Sequence, residues 1–414
     1  MIFNTLKDHN FDGKTVLLRA DLNVPVTKDR EITDTTRIDR LKPTIDYLAS
    51  QNAKIVIMSH FGRPKGLYEE NMSLSFLPSA LEKSWGTKVI FTDDCAGEKS
   101  KAIIKNLEPG QIALLENLRF HEGEEKNDSV FAEKLASMGD IYVNDAFSTS
   151  HRAHASTEAI TNILPSCAGL LMEAELNALN SSLDIPKKPV FAFVGGAKIS
   201  TKLSVLHNLS KKVDYMFLGG GMANTFLHAK GYDIGKSLCE NDMADEALNI
   251  IKHAEDNDCK IILPSDLVMV HKLEDGAEHS IWQAENMDSD MIAVDNGPRT
   301  IKEIKDILDS CKTVIWNGPL GVFEIKPFDN STNEIALYVA KLTKEGKMKS
   351  FAGGGDTVAA LENANAADNF SYISTAGGAF LEWLEGKTLP GVAALMKNCA
   401  DTHKCVSSGN SMKI

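Results

Sequence analysis

Five glycine-rich clusters in the second half of the chain have the composition of phosphate-binding loops. Each follows a short apolar run: Gly195-Gly196-Ala197-Lys198, Gly219-Gly220-Gly221, Asn317-Gly318-Pro319-Leu320-Gly321, Gly353-Gly354-Gly355-Asp356-Thr357 and Ser374-Thr375-Ala376-Gly377-Gly378. Because glycine has no Cβ, its backbone N–H group can approach a phosphate closely. Loops at the carboxyl ends of neighbouring parallel strands share one crevice, so the five clusters predict a nucleotide pocket.

Charged residues in or near these clusters suit the phosphates and a magnesium ion. Lys198 and Lys202 are four residues apart, so a helix that opens at this cluster would place both ammonium groups at its N-terminus, where anions bind. The alternative is a solvated helix face. Asp356 follows three glycines, which suits a Mg²⁺ ligand beside phosphates and equally suits a helix N-cap. Glu324 could bond ribose hydroxyls or could be an ordinary surface carboxylate.

Arginine is concentrated in the first half of the chain. Seven of the eight arginines precede residue 153, and four of these lie at or just after strand-like runs: Arg19, Arg63, Arg119 and Arg152. With Arg37, such guanidinium groups could surround a small dianion. Asp21 and Asn23 could accept hydrogen bonds from a substrate hydroxyl, and His60 could donate one. A structural ion pair explains one arginine well but explains four clustered arginines poorly.

Two further patterns bear on the chemistry. His151 and His154 have the spacing of a metal site, but no cysteine or carboxylate follows at zinc-ligand spacing, so they are better placed to flank Arg152 in the anion pocket. No G-x-S-x-G or H-E-x-x-H signature of a nucleophile and its base occurs. That absence suits a reaction in which one bound substrate already carries the nucleophile.

The elements that must position these residues alternate between strand and helix. Apolar runs such as Lys54–Met58 and Val190–Val194 are separated by helix-like segments such as Arg37–Ser50, which predicts an α/β fold with parallel sheets covered on both faces. The segment Leu164–Gly169 breaks the chain. The amphipathic segment Leu170–Leu183 then predicts a helix, either a lever between moving domains or an ordinary connection.

Composition limits the class of protein. The 414 residues predict two domains, and a net charge of -13 argues against general binding to nucleic acid or to acidic membranes. The seven cysteines are odd in number and contain no C-x-x-C, which favours a reducing compartment. The N-terminus lacks the apolar core of a signal peptide, and no apolar run of about 18 residues occurs, so we expect a cytoplasmic protein without a transmembrane helix.

Taken in order, the motifs resemble those of the phosphoglycerate kinase family. The resemblance covers residues from about 10 to 395 and rests on Arg19–Pro25, His60–Pro64, Glu116–Phe120, Asn144–Phe147, His151–His154, Gly195–Lys198, Gly219–Ala223, Trp316–Pro319 and Gly353–Thr357. It implies the reaction 1,3-bisphosphoglycerate + ADP ⇌ 3-phosphoglycerate + ATP, with Mg²⁺ as cofactor. It also implies a monomer that uses small-molecule substrates and binds neither nucleic acid nor membranes.

The resemblance further implies two Rossmann-like three-layer domains joined by a hinge helix. Residues 1–169 would bind phosphoglycerate, 170–184 would form the interdomain helix, and 185–385 would bind Mg-nucleotide. Residues 386–414 would return to the first domain. Closure about the hinge would then bring the two substrates together and expel water.

Matching positions carry over the family's site residues. Phosphoglycerate would be held by Asp21, Asn23, Arg37, His60, Arg63, Arg119 and Arg152. The nucleotide would be held by Lys202, Gly219, Gly220, Gly221, Asn317, Pro319, Glu324, Gly354, Gly355, Asp356 and Thr357, with Asp356 as the metal ligand. The transferring phosphoryl group would meet Arg37, Lys198, Gly377 and Gly378.

The sequence departs from the family at two places. The family's usual Ser-Thr-Gly-Gly-Gly has Ala376 at its third position, where a positive φ would be difficult. The tail that holds Cys399 and Cys405 is longer than usual.

Two other classes of protein are alternatives. A two-domain solute-binding protein would also clamp a ligand between lobes but needs no magnesium aspartate. A nicotinamide dehydrogenase would need an early G-x-G-x-x-G, which is missing.

Overall fold

The structure, a computed structural model, describes residues 2–374 and 376–397. Contacts between residues divide it into two units. The first unit contains the described residues up to Leu176 together with those from Thr388 onward, and the second unit is Asn177–Lys387. The first boundary falls inside the helix Leu170–Leu179. Of the C-terminal segment predicted at 386–414, residues 398–414 lie outside the described residues.

A six-stranded parallel sheet organises the first unit. Its strands are β1 Thr15–Arg19, β2 Lys54–Met58, β3 Val89–Phe91, β4 Ile112–Leu114, β5 Ile141–Asn144 and β6 Ser166–Ala168. Their order across the sheet is β3-β4-β2-β1-β5-β6, and every pair is parallel. Because β2 and β5 lie on opposite sides of β1, the strand order reverses between β1 and β5. Ligands of open parallel sheets bind at such a point.

Both faces of this sheet are buried. In β2, Ile55 and Ile57 belong to one apolar cluster, whereas Val56 and Met58 belong to another. Successive side chains of a strand point to opposite faces, so the alternation requires a layer of helices on each side. The helices of this unit are α1 Thr36–Ser50, α2 Pro78–Trp85, α3 Glu98–Lys105, α4 Glu122–Glu125, α5 Ser129–Ala136 and α6 Leu170–Leu179.

The second unit has the same plan with an insertion. Its strands are β7 Val190–Gly195, β8 Tyr215–Gly219, β9 Lys260–Ile262, β10 Asp266–Val270, β11 His279–Gln283, β12 Ile292–Asn296, β13 Thr313–Asn317, β14 Lys349–Gly353 and β15 Tyr372–Ser374. Six of them form a parallel sheet in the order β15-β14-β13-β7-β8-β9, whose strand order reverses between β7 and β13. The strands β11-β10-β12 form a separate antiparallel sheet. The two parallel sheets with their helices confirm the predicted α/β class.

Helices follow most strands of the second unit. They are α7 Leu203–Leu209, α8 Gly221–Ala229, α9 Ala244–Glu255, α10 Pro298–Leu308, α11 Asn330–Lys344, α12 Gly355–Asn363 and α13 Gly377–Leu384. The predicted segment 170–183 is α-helical through Leu179 and continues as a π-helical turn, Asn180–Asp184. Within the part of the chain that the structure describes, no helix is both long enough and apolar enough to cross a membrane.

One segment predicted as a chain break is a strand. The break was placed at Leu164–Gly169, but β6 lies within it and pairs in parallel with β5. The carbonyl oxygen of Pro165 accepts a hydrogen bond from the N–H of Tyr142 at 2.9 Å, which starts this pairing. Proline can lead into a strand at the edge of a sheet because its missing N–H is not needed there.

Candidate functional site

A cavity of about 560 Å³ lies at the reversal point of the second sheet. Four of the five glycine clusters contribute to its wall, through residues 195–197, 220–221, 317–321 and 354–357. An apolar part of the wall comes largely from the inserted sheet and the loops around it: Leu238, Leu267, Leu273, Ile292 and Val294. A wall that combines glycine loops with apolar side chains suits a ligand with phosphates and a flat apolar ring.

Glycine is required where the loops after β7 and β13 meet. A Cβ on Gly195 would lie 1.9 Å from the carbonyl oxygen of Pro319. Gly318 has a φ of +103°, and a Cβ there would lie 2.2 Å from the carbonyl oxygen of Gly195. Real Cβ atoms do not approach backbone atoms this closely, so side chains at either position would push apart the loops that form the cavity.

Asn317 ties three loops of the cavity together. Its Nδ2 donates to the carbonyl oxygen of Gly353 at 2.8 Å, and its Oδ1 accepts from Nζ of Lys202. Next to it, the N–H of Gly318 donates to Oγ1 of Thr357 at 2.7 Å. Burial lowers the pKa of Lys202, and the negative charges of Asp356 and Glu385 oppose that effect. The predicted residues Lys202, Asn317, Asp356 and Thr357 therefore lie together in one cavity wall.

Lys198 lies in a turn rather than in a helix. A helix that opens at the Gly195–Lys198 cluster was one prediction, but α7 begins only at Leu203. The fully buried Ile199 anchors the intervening turn, and its carbonyl oxygen accepts from the N–H of Lys202 at 2.8 Å. The predicted shared helix face is therefore wrong. Lys202 lines the cavity, whereas Lys198 is exposed and is not part of the lining.

Asp356 fits a single-carboxylate magnesium site. It lies in the first turn of α12, is exposed and lines the cavity. Its carboxylate makes no hydrogen bond or ion pair with the rest of the described chain, so its oxygens are available to a cation. Mg²⁺ commonly takes one or two carboxylates and completes its shell with phosphate oxygens and water. Within the described residues, no group of three or more His, Cys, Asp or Glu side chains forms a site that could hold a metal without such a substrate.

The remaining predicted nucleotide residues lie in or beside the cavity. Glu324 is exposed and lines it together with Pro319. Gly219 is not part of the lining, but it packs under the wall, since a Cβ there would lie 2.9 Å from the Cα of Leu320. Gly220 and Gly221 follow directly and do line the cavity.

The fifth glycine cluster approaches the fourth without lining the cavity. Gly377 and Gly378 open α13, and a Cβ on Gly377 would lie 3.9 Å from the Cα of Gly354. Ala376 has a φ of -99°, so this alanine does not need the positive φ that would make it strained. Thr375 of this cluster lies outside the described residues.

Asp295 is a buried acid in the cavity wall that sequence reasoning missed. Its carboxylate accepts from the N–H of Ser331 at 2.9 Å and from the Ser331 hydroxyl, and it lies where a Cβ on Gly321 would otherwise be. Burial, opposed by these hydrogen bonds, raises the pKa of Asp295 to about 7. No local motif marks Asp295, because its partner is 36 residues away along the chain.

We expect Asp295→Asn to change how stability depends on pH. The folded protein retains the proton of Asp295 up to about pH 7, whereas an unfolded chain loses it near its ordinary pKa of 3.8. Between pH 3.8 and about 7, the folded state therefore binds more protons than the unfolded state. As pH rises through this range, the free energy of unfolding of the wild type falls relative to that of the variant, by up to about 4 kcal/mol. Urea unfolding of both proteins at pH 4.5 and 7.5 measures the difference, and an equal gap at both pH values would contradict the assignment.

At the reversal point of the first sheet, Arg19 fixes the state of His60. Arg19 is fully buried at the end of β1; its Nε donates to Oγ of Ser156 at 3.0 Å, and its Nη2 lies 3.2 Å from Nδ1 of His60. Burial, followed by the charges of Arg19 and Arg119, holds the pKa of His60 well below its ordinary value. Arginine can only donate, so Nδ1 is the acceptor and the proton of the neutral ring is on Nε2.

Asp21 and Asn23 already have protein partners. The carboxylate of Asp21 is paired with Arg37 near the start of α1 and accepts from the hydroxyl of Ser148. Oδ1 of Asn23 accepts from the N–H of Gly62 at 3.0 Å. These contacts join the loop after β1 to α1 and to the loop after β2.

Asn117 joins the loops that carry His60 and Arg119. It is fully buried, and its Nδ2 donates to the carbonyl oxygens of Phe61 at 2.7 Å and Met72 at 2.9 Å. Its Oδ1 accepts from the N–H groups of Phe61 at 3.3 Å and Arg119 at 3.0 Å. All four hydrogen-bonding positions of the amide are used, so the two loops form one rigid support.

The predicted arginines differ in how firmly they are held. Arg119 is buried, its Nη1 donates to the carbonyl oxygen of Gly62 at 2.7 Å, and its Nε lies 3.2 Å from Glu125. Arg152 is half-buried, and its Nε donates to Nε2 of His151 at 3.1 Å. Arg63 is exposed and makes no hydrogen bond or ion pair with any part of the described chain. Its guanidinium group is therefore available to a ligand.

The buried acid that supports this arginine group, Glu124, was also missed by sequence reasoning. It accepts from the N–H of Ser156 at 3.0 Å and from its hydroxyl at 2.6 Å, and Nδ1 of His154 lies 3.7 Å away. His154 is thus beside a buried carboxylate, and its role next to Arg152 in the anion pocket stays a prediction. Glu122, Glu124 and Glu125 lie close together along the chain, and the sequence does not indicate which of these three acids is buried.

The cysteines do not form disulfides within the described residues. Cys95, Cys167, Cys259 and Cys311 are buried free thiols, and Cys239 is half-buried. Cys399 and Cys405 lie outside the described residues.

Comparison with known proteins gives one consistent family. The family model described as phosphoglycerate kinase matches residues 6–387. A phosphoglycerate kinase from Rhodospirillum centenum is 56% identical over 395 residues, which cover 95% of this chain and 100% of that protein. One from Ruegeria sp. is also 56% identical over 395 residues, with the same coverage.

Solved structures of phosphoglycerate kinases also match this chain. The structure of phosphoglycerate kinase from Coxiella burnetii matches with a TM-score of 0.90 at 41% identity and covers 96% of this chain and 100% of that one. The enzyme from Pyrococcus horikoshii matches with a TM-score of 0.76 at 30% identity, covering 97% and 100%. These matches leave the solute-binding alternative without support. Because the family match runs through both units and through both sets of motif loops, this chain belongs to the phosphoglycerate kinase family.

Proposed function

We propose that the protein transfers a phosphoryl group reversibly between 1,3-bisphosphoglycerate and ADP, giving 3-phosphoglycerate and ATP in glycolysis and gluconeogenesis. The observation that carries this proposal is the identity of more than half the residues, over 95% of the chain, to proteins named phosphoglycerate kinase. The direct test is a coupled assay for ATP-dependent phosphorylation of 3-phosphoglycerate by the purified protein. A lack of turnover in both directions would refute it.

In this proposal, the first unit binds the triose. Arg63, Arg119 and Arg152 grip its phosphate and carboxylate groups, and His60 adds a neutral donor through Nε2–H. Asp21 and Asn23 act through the loop after β1, with Arg37 close to the phosphoryl group. Two observations support this role: the charge of Arg152 acts on the buried Arg119, and the exposed Arg63 makes no hydrogen bond or ion pair with the described chain.

The second unit binds the nucleotide in the 560 Å³ cavity. Its apolar wall accepts the base and Glu324 bonds the ribose, while Lys202, Asn317 and Thr357 meet the phosphates with the N–H groups of Gly354 and Gly355. The glycine loops at Gly219–Gly221 and Pro319 shape the cavity. Asp356 would hold Mg²⁺, which neutralises charge on the phosphates when it is bound.

The reaction needs positioning more than acid–base chemistry. The attacking group is a carboxylate or a phosphate oxygen, which requires no general base, so the chain has to align the reactants and offset their negative charge. Lys198, Arg37 and the N–H groups of Gly377 and Gly378 serve the phosphoryl group in transfer. Alignment requires the reacting atoms to come within about 3–3.5 Å, so we propose that the units close about the α6 segment and expel water.

We also propose that the protein works in the cytoplasm as a monomer on small-molecule substrates. Its net charge of -13 disfavours nucleic acid and acidic membranes as partners. Size-exclusion chromatography with light scattering tests the monomer directly.

We expect Arg63→Ala to weaken binding of 3-phosphoglycerate without weakening binding of ATP. The exposed guanidinium group has no protein partner in the described chain, so its loss removes a charge-assisted contact to the ligand, worth about tenfold to a hundredfold in affinity. Calorimetric titration with each substrate measures the effect. Arg299→Ala, which removes an exposed arginine of the second unit paired with Glu303, is the matched control. A loss of ATP affinity alone would mean that the two sites are misassigned.

A further inference from the structure

The carboxylate of Glu240 holds the turn that carries Lys198. It accepts a hydrogen bond from the hydroxyl of Ser200 at 2.6 Å and another from the N–H of Ser200 at 3.1 Å. Both donors of Ser200, the second residue after Lys198, therefore converge on one side chain that is 40 residues away along the chain.

Glu240 is itself anchored to helix α8. Its N–H donates to Oγ1 of the fully buried Thr225 at 3.1 Å. Two residues earlier, the carbonyl oxygen of Leu238 accepts from Nδ2 of the buried Asn224 at 3.2 Å. The segment 238–240 is thus fixed at two points to the helix that opens at Gly221 in the cavity wall. The position of the turn at Lys198 therefore depends on helix α8, through residues 238–240.

Besides Glu240, the buried side chain of Ile199 anchors this turn. Residues 197, 198, 200 and 201 are exposed. Its internal bonds are those from Lys202 to Ile199 and from Oγ1 of Thr201 to the carbonyl oxygen of Lys198 at 2.9 Å. An exposed lysine between exposed neighbours loses much conformational freedom when it is fixed for reaction. A support that fixes the turn before substrate binds lowers that cost.

The negative charge of Glu240 also helps to position Lys198. Burial opposes its ionisation, but the hydrogen bonds from Ser200 and the charge of Lys198 outweigh this and lower the pKa of Glu240. The ionised carboxylate attracts the ammonium group of Lys198. It does not neutralise the ammonium group in a close pair, because no ion pair within 4.0 Å joins the two in the described chain.

We infer that Glu240 is a positioning residue that sets the place of Lys198 for phosphoryl transfer. This role rests on the proposed function. Glu240 does not line the nucleotide cavity, so its loss should lower kcat and leave the KM values for MgATP and 3-phosphoglycerate unchanged. A residue that merely stabilised the fold would not separate kcat from KM in this way.

The test uses Glu240→Gln and Glu240→Asp in the full-length enzyme. Glutamine replaces one acceptor oxygen by a donor that opposes the donors of Ser200, so we expect kcat to fall roughly tenfold from misplacement of Lys198. Aspartate keeps the charge and both oxygens, and we expect it to recover part of the loss. Glu334→Gln, which removes a carboxylate bound to Lys305 in the same unit, is the control and should leave kcat unchanged.

A double-mutant cycle and hydrogen exchange complete the test. In a Lys198→Ala background, Glu240→Gln should cause no further fall in kcat, because the residue through which it acts is gone. Exchange of the Ser200 amide hydrogen should be faster in Glu240→Gln, and this readout does not need turnover. An equal fall in kcat in both backgrounds, or an unchanged kcat, would overturn the role of Glu240. A wild-type protein without kinase activity would instead overturn the proposed function.

Discussion

Replacing Lys198 by alanine should lower kcat by about two orders of magnitude or more, the loss typical of one preorganised charge donor. The ammonium group is exposed outside the nucleotide cavity, on a turn that begins where the glycine loop after β7 ends. A charge in this position can stabilise the phosphoryl group during transfer more than it stabilises bound nucleotide. Steady-state kinetics in the direction of ATP consumption measure kcat, and calorimetry measures the affinity for MgADP.

The affinity for MgADP should change little in the same variant, because Lys202 and the glycine loops remain. Lys211→Ala is the matched control, since it removes an exposed lysine of the same unit from the turn after α7. Its kcat should equal that of the wild type. Should Lys198→Ala keep the full kcat, Lys198 has no part in stabilising the transition state.

The second large effect is expected for Gly195→Ala. The new Cβ would lie 1.9 Å from the carbonyl oxygen of Pro319, and both groups belong to backbone that cannot rotate away as a side chain can. The loops after β7 and β13 must therefore separate, which costs about 1–3 kcal/mol or more of folding stability. The same displacement moves Pro319 and Asn317 in the cavity wall, so nucleotide affinity should fall as well.

Gly355→Ala provides the matched control for stability. A Cβ on Gly355 would meet no atom within 4 Å, and its φ is not in the left-handed region. Alanine also favours a helix over glycine by roughly 0.5–1 kcal/mol, so this variant should be as stable as the wild type or slightly more stable. Urea unfolding of both variants and calorimetric titration of Gly195→Ala with MgADP measure these effects. Equal stability of the two variants would show that the loops can separate freely.

The parts of the fold predicted from sequence are those with a strong local pattern. The apolar runs predicted most strands of the two parallel sheets, because a strand buried on both faces is apolar throughout. The short edge strand Ser166–Ala168 was missed since Ser166 and Cys167 carry no such pattern and a proline precedes them. The inserted sheet was also missed, since β11 has alternating exposure and little apolar content.

The candidate site divides in the same way. Asp356, Asn317 and the glycines could be predicted, because each lies in a motif of a few adjacent residues. Asp295 and Glu240 could not, because each acts on a segment 36 or 40 residues away and stands in an unremarkable local sequence. The start of α7 at Leu203 could not be predicted either, because the helical spacing of Lys198 and Lys202 gives no sign of the turn between them.

The bonds made by Asn117 bear on the kinetics of substrate capture. Since this amide joins the loops that carry His60 and Arg119, the ordering entropy of both loops is spent when the protein folds. A diffusing dianion then meets loops that are already ordered, and its association rate depends on the local electric field rather than on loop closure. The local positive field attracts the dianion, whereas the overall charge of -13 repels it. The association rate should therefore depend on ionic strength.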